Sequence, residues 1–516
     1  MANPLSKRVT AVFWITIAIA ALSVIWGVIS PDNLKGVTET IRAYLTVHFG
    51  WFYLIIVTLF VLFCIYIIIS PFGTIKLGKP DDKPEYSMPT WFAMLFSAGM
   101  GIGLVFWGVA EPASHFANNP PTAEPGSGEA LKESMKFVYF HWGVHAWAIY
   151  ALVALTLAYF KFRRGAPGLI SATLYPLLGE RVKGPIGKTI DVIAIFATVV
   201  GVATTLGFGA AQINGGLTYL TDLPNEFWVQ LVIIGVVTVL FMFSAYTGLS
   251  KGIKYLSNAN MFLAALLFIF MLIVGPTLQI MNVFTDTIGS YLRDVASMSF
   301  RLAPTNEENQ TWIQNWTVFY WAWWIAWSPF VGIFIARVSR GRTIREFLMG
   351  VLIVPSVVGF LWFATFGMSA INLEQAGTAA ISELSKEQAL FGTLTNYPLG
   401  IITSIIALCL IGTFFVTSAD SATFVLGMQS TNGSLNPPKT VKFSWGIAQS
   451  AMAAILLFTG GLQGLQNALI IAAFPFAFIM IMMMYSLHKA LVEDKAIIDN
   501  EKTSSSSEQE KQTMSS

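Results

Sequence analysis

Apolar runs of about 20 residues recur along the whole chain, and they constrain its fold more than any other feature. A helix rises about 1.5 Å per residue, so a run of roughly 20 residues crosses a hydrocarbon core about 30 Å thick. Lipid offers no hydrogen bonds to a backbone, whereas a helix satisfies its own. The chain is therefore predicted to be an all-α membrane protein with twelve transmembrane helices, near residues 9–30, 49–70, 90–110, 137–160, 189–211, 227–248, 258–281, 313–337, 346–370, 399–427, 441–460 and 463–487.

The composition excludes an ordinary soluble protein. Only 11% of the residues are charged, against about 25% in a typical soluble domain. The net charge of +2 is too small to indicate a nucleic-acid partner. We therefore expect the surface to face membrane lipid, with no nucleic acid bound.

The distribution of lysine and arginine predicts the orientation in the membrane. Loops 161–164, 181–188 and 337–345 are rich in these residues, whereas loops 111–133 and 374–387 are mainly acidic. Cytoplasmic loops of membrane proteins carry the excess of basic residues. Both termini are therefore predicted to lie in the cytoplasm.

Two segments lie outside the predicted spans. Residues 282–302 mix apolar residues with charged ones such as Arg293, which is typical of an amphipathic helix on a membrane surface. The tail after Val492 has few apolar residues, so it is predicted to be disordered.

Residues 97–103 read Ser-Ala-Gly-Met-Gly-Ile-Gly, inside the third predicted span. Each glycine weakens a helix by about 1 kcal/mol relative to alanine. Because lipid cannot satisfy a broken backbone, such a break is expected only beside a cavity or packed protein. The alternative is close helix packing through Gly99 and Gly103, which have the spacing of small-residue interfaces.

Aromatic residues concentrate in the eighth predicted span, where residues 320–330 read Tyr-Trp-Ala-Trp-Trp-Ile-Ala-Trp-Ser-Pro-Phe. Four of them fall within about 100° of one helical face: Tyr320, Trp323, Trp324 and Trp327. Pro329 predicts a second helix break. The fourth span also has a wide aromatic face, formed by Trp142, Trp147 and Tyr150.

Aromatic faces near the middle of a membrane suit one class of ligand. A quaternary ammonium has no N–H to donate, but ring faces attract it by about 2 kcal/mol or more once it is desolvated. Such a cage also avoids burying a carboxylate in lipid. The alternatives are bulky core packing and an interfacial aromatic belt, which Trp312 and Trp316 fit.

A polar stretch, residues 414–423, reads Phe-Phe-Val-Thr-Ser-Ala-Asp-Ser-Ala-Thr inside the tenth span. Hydroxyl and carbonyl oxygens are the ligands that small hard cations prefer, and carriers bind Na⁺ beside broken helices. Alternatively, these hydroxyls only bond back to their own helix. Asp420 is either a functional acid or the partner of an arginine in an inner loop.

Enzyme chemistry is not indicated. His141 and His145 stand four residues apart, but no acid or third ligand accompanies them in a metal-binding pattern, so they are interpreted as cavity or packing residues. The sequence contains no P-loop. We therefore expect no catalytic residues, no organic cofactor and no enzymatic activity.

At residues 99–104, 141–150 and 320–345 the chain resembles the betaine/choline/carnitine transporter family. The resemblance extends from about residue 9 to residue 488, and its most specific part is the string WAWWIAWSPFVGIFIARVSRGRTIREF. It implies a carrier of the bacterial inner membrane with a LeuT-type core, in which two five-helix repeats are inverted relative to each other. It also implies a homotrimer.

This architecture divides the chain into five parts. They are two N-terminal helices at 1–89, a first repeat at 90–281, the amphipathic helix and a connector at 282–311, a second repeat at 312–488, and the disordered tail at 489–516.

The resemblance also implies the binding residues. The aromatic box corresponds to Trp142, Trp147, Tyr150 and Trp324, and the path on either side is lined by Trp321, Trp323 and Trp327. The substrate carboxylate is faced by the backbone of Met100, Gly101 and Gly103. One sodium site corresponds to Ser97, Met100, Phe414, Thr417 and Ser418, and a second to Phe330 with Thr204 or Thr205.

The implied activity is import of glycine betaine for osmoprotection, with Na⁺ as the coupling ion. Gly103 is neutral, whereas choline carriers of the family tend to have an acid at this position. Uptake or exchange of choline, carnitine or ectoine is the alternative. The tail is rich in Ser and Glu, unlike the basic tails of members that sense osmotic stress, so activation through the tail is not expected.

Overall fold

The structure is a computed structural model that describes residues 9–99, 101–247 and 250–515, with the side chains of these residues other than 96, 98–99, 246–247, 250–254 and 501–515. The described chain is helical and contains no β-strand. Its only β-type pairing is an isolated antiparallel bridge between Lys76 and Thr343.

The α-helices are numbered in chain order. The first eight of the described chain are α1 (Ala11–Ile29), α2 (Pro31–Ile69), α3 (Met88–Gly99), α4 (Ile102–Ala113), α5 (Gly128–Trp142), α6 (Val144–Ala158), α7 (Tyr175–Leu178) and α8 (Pro185–Leu220). They are followed by α9 (Phe227–Thr247), α10 (Ser250–Val274), α11 (Thr277–Ser299), α12 (Glu307–Asn315), α13 (Thr317–Val338), α14 (Ile344–Gln375), α15 (Ala389–Thr395), α16 (Gly400–Gln429) and α17 (Lys439–Ser515). Short 3-10 turns lie at Pro71–Thr74, Ser171–Leu174, Gly179–Lys183 and Ile381–Glu383, and π-helical turns at Ser114–Asn118 and Tyr159–Arg163.

Ten helical segments of the described chain are long and apolar enough to cross a membrane. They are Ala11–Ile29, Pro31–Ile69, Gly128–Arg163, Pro185–Leu220, Phe227–Ala245, Tyr255–Val274, Glu307–Val338, Ile344–Gln375, Gly400–Gln429 and Lys439–Asn500. The all-helical membrane architecture that the apolar runs predicted is therefore confirmed.

The third predicted span is broken, as its glycines predicted. Helix α3 ends at Gly99 and α4 begins at Ile102, and between them Gly101 has an extended backbone with φ −158° and ψ −171°. A further break inside α17 falls at Gly461, whose φ of 57° belongs to the region that favours glycine. This second break separates the last two predicted spans.

The broken helix α4 lies at the centre of the molecule. All of its residues are buried, and it packs against α8 and α14, while α6 packs against α13. By contrast, only 28% of the most apolar stretch of α1 and 22% of that of α10 are buried inside the protein. Apolar helices with exposed surfaces suit a lipid environment, and a helix buried on all sides suits the centre of a bundle.

The predicted break at Pro329 is wrong, because α13 continues through this residue from Thr317 to Val338. Proline lacks the N–H that would bond to the carbonyl of Ile325, four residues earlier. The hydroxyl of Ser328 donates to that carbonyl at 2.8 Å instead. Neighbouring Ser/Thr side chains commonly keep proline-containing membrane helices intact in this way.

The tail also differs from the prediction of disorder, since α17 continues to Ser515. The first turns of α17 beyond the apolar run are held by side chains of the π-helical turn at Tyr159–Arg163. The Tyr159 hydroxyl donates to the Ala490 carbonyl at 3.0 Å, and Arg163 pairs with Asp494. These contacts connect distant parts of the chain, so the composition of the tail alone did not reveal them.

The role of Ser328 can be tested by thermal unfolding in detergent. Ser328→Ala leaves the buried Ile325 carbonyl without its donor, so we expect a loss of about 1–3 kcal/mol in stability. Ser356→Ala is the matched control. The Ser356 hydroxyl donates to the Leu352 carbonyl at 2.6 Å, but this carbonyl can also accept from the backbone N–H of residue 356, which alanine keeps. Equal melting temperatures for the two variants would contradict this role.

Candidate functional site

A cavity of about 40 Å³ lies where the α3–α4 break meets α5, α6, α8 and α13. It is lined by Gly101, Ile102, Gly103, Leu104, Trp142, Ala146, Trp147, Tyr150, Thr205, Trp323, Trp324 and Trp327. The structure thus brings all four residues of the predicted aromatic box to one cavity, which we call the aromatic cavity. Met100, for which the sequence predicted roles in substrate and sodium binding, lies outside the described residues.

The four box residues are packed edge to face. The ring centroids of Trp142 and Trp324 are 4.8 Å apart, those of Tyr150 and Trp324 are 6.0 Å apart, and those of Trp147 and Tyr150 are 5.5 Å apart. Each of these side chains is only 4–7% exposed. Because they line the cavity, that small remaining exposure is available to a ligand within it.

Hydrogen bonds fix the orientation of three indole rings around the cavity. The Nε1 atom of Trp142 donates to Glu111 Oε2 at 2.8 Å, and that of Trp324 donates to the His141 carbonyl at 2.9 Å. Trp327 donates to the Gly201 carbonyl at 2.8 Å. Since these N–H groups are already bonded, the rings offer a ligand their apolar π surfaces.

Trp321, which was predicted to line the path, lines neither the aromatic cavity nor the larger cavity described below. Its ring stacks on that of His145 with a centroid distance of 5.5 Å. Residues two apart on a helix point about 160° away from each other, so Trp321 and Trp323 face opposite sides of α13. His145 also bonds to the Ser299 hydroxyl at 2.9 Å.

Gly103 lies where the broken helix touches the aromatic wall. A Cβ atom at this position would be 2.7 Å from a ring carbon of Trp323 and 3.4 Å from one of Trp142. The backbone of α4 therefore approaches the rings more closely than any other residue type would allow. Any substitution here, an acid included, must first displace Trp323.

A larger cavity of about 540 Å³, which we call the vestibule, is lined by residues from α3, α9, α10, α13, α16 and the start of α17. Gly101 and Trp327 line both cavities, so the vestibule adjoins the aromatic cavity at the helix break. Four residues predicted for the first sodium site line the vestibule: Ser97, Phe414, Thr417 and Ser418.

The Thr417 hydroxyl is engaged within the protein. It lies 3.0 Å from the Thr413 carbonyl, and Asn260 Nδ2 donates to it at 3.0 Å. Thr417 therefore bonds back to its own helix, and one lone pair of its oxygen is left for a cation. Of the residues predicted for the second sodium site, Thr205 lines the aromatic cavity and Phe330 lines the vestibule. Thr204 bonds to the Val200 carbonyl at 2.9 Å.

Asn260 is a residue that the sequence analysis missed. It is 3% exposed, lines the vestibule, and its Oδ1 atom has no hydrogen-bond partner among the described residues. An amide oxygen is a suitable ligand for a hard cation. The signal in the sequence was a pair of asparagines, Asn258 and Asn260, at the start of an apolar span.

Asp420 also lines the vestibule and is 6% exposed. Arg337 and Lys442 line the same cavity. No ion pair joins Asp420 to an arginine in the part of the chain that the structure describes. Of the two alternatives left open by the sequence, the structure therefore gives no support to pairing with an inner-loop arginine.

A second residue that the sequence analysis missed is Glu111, which is 0% exposed. One of its carboxylate oxygens lies 2.7 Å from His141 Nδ1 and 3.4 Å from His115 Nε2. The sequence showed no acid beside His141 because Glu111 lies 30 residues earlier. By composition these three residues could hold a metal ion, and they are the only such group of three or more among the described residues.

Comparisons with known proteins show the family to which the chain belongs. The family model for betaine/carnitine/choline family transporters matches residues 11–496. The chain is 62% identical over 489 residues to the glycine betaine transporter OpuD of Bacillus subtilis, covering 95% of this chain and 96% of that one. It is 47% identical over 494 residues to a probable glycine betaine transporter of Desulfitobacterium hafniense, covering 95% and 98% of the two chains.

A third relative is the ectoine/hydroxyectoine transporter of Virgibacillus pantothenticus, which is 45% identical over 496 residues, or 95% of this chain and 98% of the relative. The match with the family model extends over nearly the whole described chain and includes every segment that lines the two cavities. The chain is therefore a multi-pass membrane transporter, not an enzyme, and it belongs to the betaine/carnitine/choline transporter family.

Proposed function

We propose that this transporter imports glycine betaine together with Na⁺ across the bacterial plasma membrane, for osmoprotection. The observation that carries the proposal is the aromatic cavity, because the side chains of the predicted box all line it. These are Trp142, Trp147, Tyr150 and Trp324. Ring faces bind a quaternary ammonium without needing an N–H donor on the ligand. Two relatives that are 62% and 47% identical are named as a glycine betaine transporter and a probable one.

The carboxylate of betaine has a natural partner at the start of α4. This 12-residue helix begins at Ile102, directly after the extended Gly101, and both line the aromatic cavity. The first N–H groups of a helix have no partner within it, and they carry the positive end of the helix dipole. A zwitterion therefore suits the cavity better than choline, which leaves these donors without an anion.

Sodium coupling is supported by the position of the oxygen-rich residues. Ser97, the Phe414 backbone, Thr417 and Ser418 line the vestibule beside the helix break. Unwound backbone and hydroxyl groups at such a break are the usual ligands for Na⁺ in carriers. Asn260 adds an amide oxygen to the same cavity. We assign the second sodium site to Thr205 and Phe330 only on the resemblance to the family.

Twelve spans follow when the two helix breaks are taken into account. The α3–α4 pair adds one span to the ten long apolar segments, and the break at Gly461 divides α17 into two. We propose that residues 90–281 and 312–488 are the two inverted repeats of the core. The resemblance to the family is also the basis for proposing a homotrimer.

The position of the vestibule supports alternating access. It is lined by Arg337 and Lys442, which belong to the side predicted to be cytoplasmic along with both termini. On the other side of the aromatic cavity, Trp107 and Trp316 pack with Tyr320, and their rings are 0–7% exposed. This arrangement corresponds to a carrier that is open to the cytoplasm and closed to the outside.

Ectoine is the second candidate substrate, because a relative that is 45% identical is named an ectoine/hydroxyectoine transporter. Ectoine is a zwitterion without a quaternary ammonium, so it uses the helix terminus but gains less from the ring faces. Direct competition between the two solutes distinguishes the candidates.

The proposed function is tested by uptake of labelled glycine betaine into proteoliposomes, with an inward gradient of Na⁺ or of K⁺. We expect accumulation only with Na⁺, and inhibition by unlabelled betaine at lower concentrations than by choline, carnitine or ectoine. Equal accumulation with K⁺ would contradict sodium coupling. Stronger inhibition by ectoine or choline would contradict the substrate.

Replacement of one wall of the box tests the cage. In Trp324→Ala we expect the half-saturation concentration for betaine to rise at least about tenfold, since that factor corresponds to only about 1.4 kcal/mol. The matched control is Trp321→Ala, which removes another buried indole from the same helix but from a side that lines neither cavity. The proposal fails if both variants have the same affinity when expression is equal.

The sodium site is tested with a pair of hydroxyls. Replacing Thr417 and Ser418 with alanine should raise the Na⁺ concentration for half-maximal uptake by about tenfold, because hard oxygen ligands are lost. The Thr403/Ser404 pair of the same helix, replaced in the same way, is the control, since it does not line the vestibule. An unchanged sodium activation curve in the first variant would place the site elsewhere.

The close approach of α4 to the rings is tested by adding a single methyl group. Gly103→Ala places a Cβ 2.7 Å from Trp323, so the indole must move and betaine affinity should fall at least about tenfold. Gly412→Ala is the control, because a Cβ there meets no atom within 4 Å. Tryptophan fluorescence titration with betaine measures both, and equal affinities would rule out the tight contact.

A further inference from the structure

The aromatic cavity has a buried carboxylate directly behind its wall. Glu111 lies in α4, at the far side of the Trp142 and Tyr320 rings, and none of it is exposed. From the sequence, a cage of rings was expected to avoid burying a carboxylate. The structure instead contains both, with the carboxylate one ring away from the cavity.

The hydrogen bonds of Glu111 define its charge. Oε2 accepts from Trp142 Nε1 at 2.8 Å and from the Tyr320 hydroxyl at 2.5 Å. An indole N–H can only donate, and an O–H···O distance of about 2.5–2.7 Å is typical of an ionised acceptor. Oε1 lies 2.7 Å from His141 Nδ1, and the other ring nitrogen of His141 lies 3.0 Å from the Thr317 hydroxyl.

An ionised Glu111 satisfies all of these contacts. His141 donates from Nδ1 to Glu111, and its Nε2 bonds to the Thr317 hydroxyl, which can donate or accept, so Glu111 is ionised with three donors. Among the described residues, no lysine or arginine forms a salt bridge with Glu111; its only charged-type partners are His115 and His141. Lys386 lies over the rings of Trp107 and Trp316, with its ammonium 5.5 and 5.0 Å from their centroids, but it forms no salt bridge with Glu111. The carboxylate of Glu111 is therefore the negative group in direct contact with the Trp142 ring.

This charge is close to the rings that bind the ligand. Trp142 itself lines the aromatic cavity. Tyr320 bonds to Glu111, and the centroid of its ring lies 5.9 Å from that of Trp324. A carboxylate that accepts the indole N–H makes the π face of that ring more negative, and because Glu111 is fully buried its own field is weakly screened. Both effects attract a cation in the cavity.

We propose that Glu111 is the positioning residue of the cage and the source of its negative charge, holding Trp142 and Tyr320 in place and attracting the quaternary ammonium through them. The proposal rests on the proposed function, in that it takes the ligand of the aromatic cavity to be a quaternary ammonium. It predicts that the charge of Glu111 contributes to affinity only for ligands with a positive centre.

The test compares glycine betaine with 3,3-dimethylbutyrate, in which a carbon replaces the ammonium nitrogen. Binding of each ligand to the purified protein is measured by tryptophan fluorescence at saturating Na⁺, in wild type and in Glu111→Gln. We expect the variant to bind betaine about tenfold more weakly, which corresponds to about 1.4 kcal/mol. Its affinity for the uncharged-centre analogue should be unchanged, so the ratio of the two affinities falls about tenfold.

Two control variants separate charge from structure. Tyr320→Phe keeps the carboxylate and removes one hydrogen bond to it, so it should weaken both ligands by the same factor. Glu133→Gln removes another buried carboxylate, which bonds to Lys136 at 2.6 Å and lines neither cavity, and it should leave both affinities unchanged.

Several results would overturn the proposal. If Glu111→Gln lowers the affinity for both ligands equally, Glu111 has only a structural role. If neither affinity changes, Glu111 has no role in binding. Betaine affinity that disappears on dialysis against a chelator would assign Glu111, His115 and His141 to a metal ion instead.

If Glu111→Gln does not fold, Glu111→Asp replaces it. This variant keeps the charge but moves it about one methylene group farther from Trp142. The ratio of the affinities for betaine and its carbon analogue should therefore fall about threefold, and an unchanged ratio overturns the proposal. The wild-type protein distinguishes this failure from that of the proposed function. If wild type binds betaine no more tightly than its carbon analogue, the cage itself is wrong.

Discussion

A helix that breaks inside a membrane leaves N–H and C=O groups that lipid cannot satisfy, so the break must be shielded from lipid, either by packed protein or by lining a cavity. The extended Gly101 between α3 and α4 imposes this constraint here. It explains why α4 is buried along its whole length and why α6, α8 and α13 gather around it. The same enclosure creates the aromatic cavity, and the free N–H groups of α4 become part of it.

The rings around this break form a rigid site because their polar edges are engaged elsewhere. Trp142, Trp324 and Trp327 each donate their N–H to an acceptor outside the cavity. A site whose side chains are already ordered loses little entropy when a ligand binds. Glu111 is central to this order because it joins α4 to Trp142 and Tyr320, and thereby couples the broken helix to the aromatic wall.

The sequence predicted the parts of the fold that depend on local patterns. The apolar runs predicted the helices, and the glycines predicted the α3–α4 break. Helical spacing together with the family resemblance predicted the box residues. It failed where distant contacts decide the outcome. Ser328 keeps α13 intact at Pro329, and Arg163 holds the start of the tail through Asp494. Glu111 was missed because its hydrogen-bond partners His141, Trp142 and Tyr320 lie 30 or more residues away in sequence.

The central claim is that the four rings of the box hold the ammonium of betaine, and a structure determined with glycine betaine bound tests it most directly. We expect the quaternary nitrogen within about 6 Å of the ring centroids of the box, with the carboxylate at the first turn of α4. The residues concerned are Trp142, Trp147, Tyr150 and Trp324. Betaine bound only in the vestibule, with its ammonium against Asp420, would contradict the account.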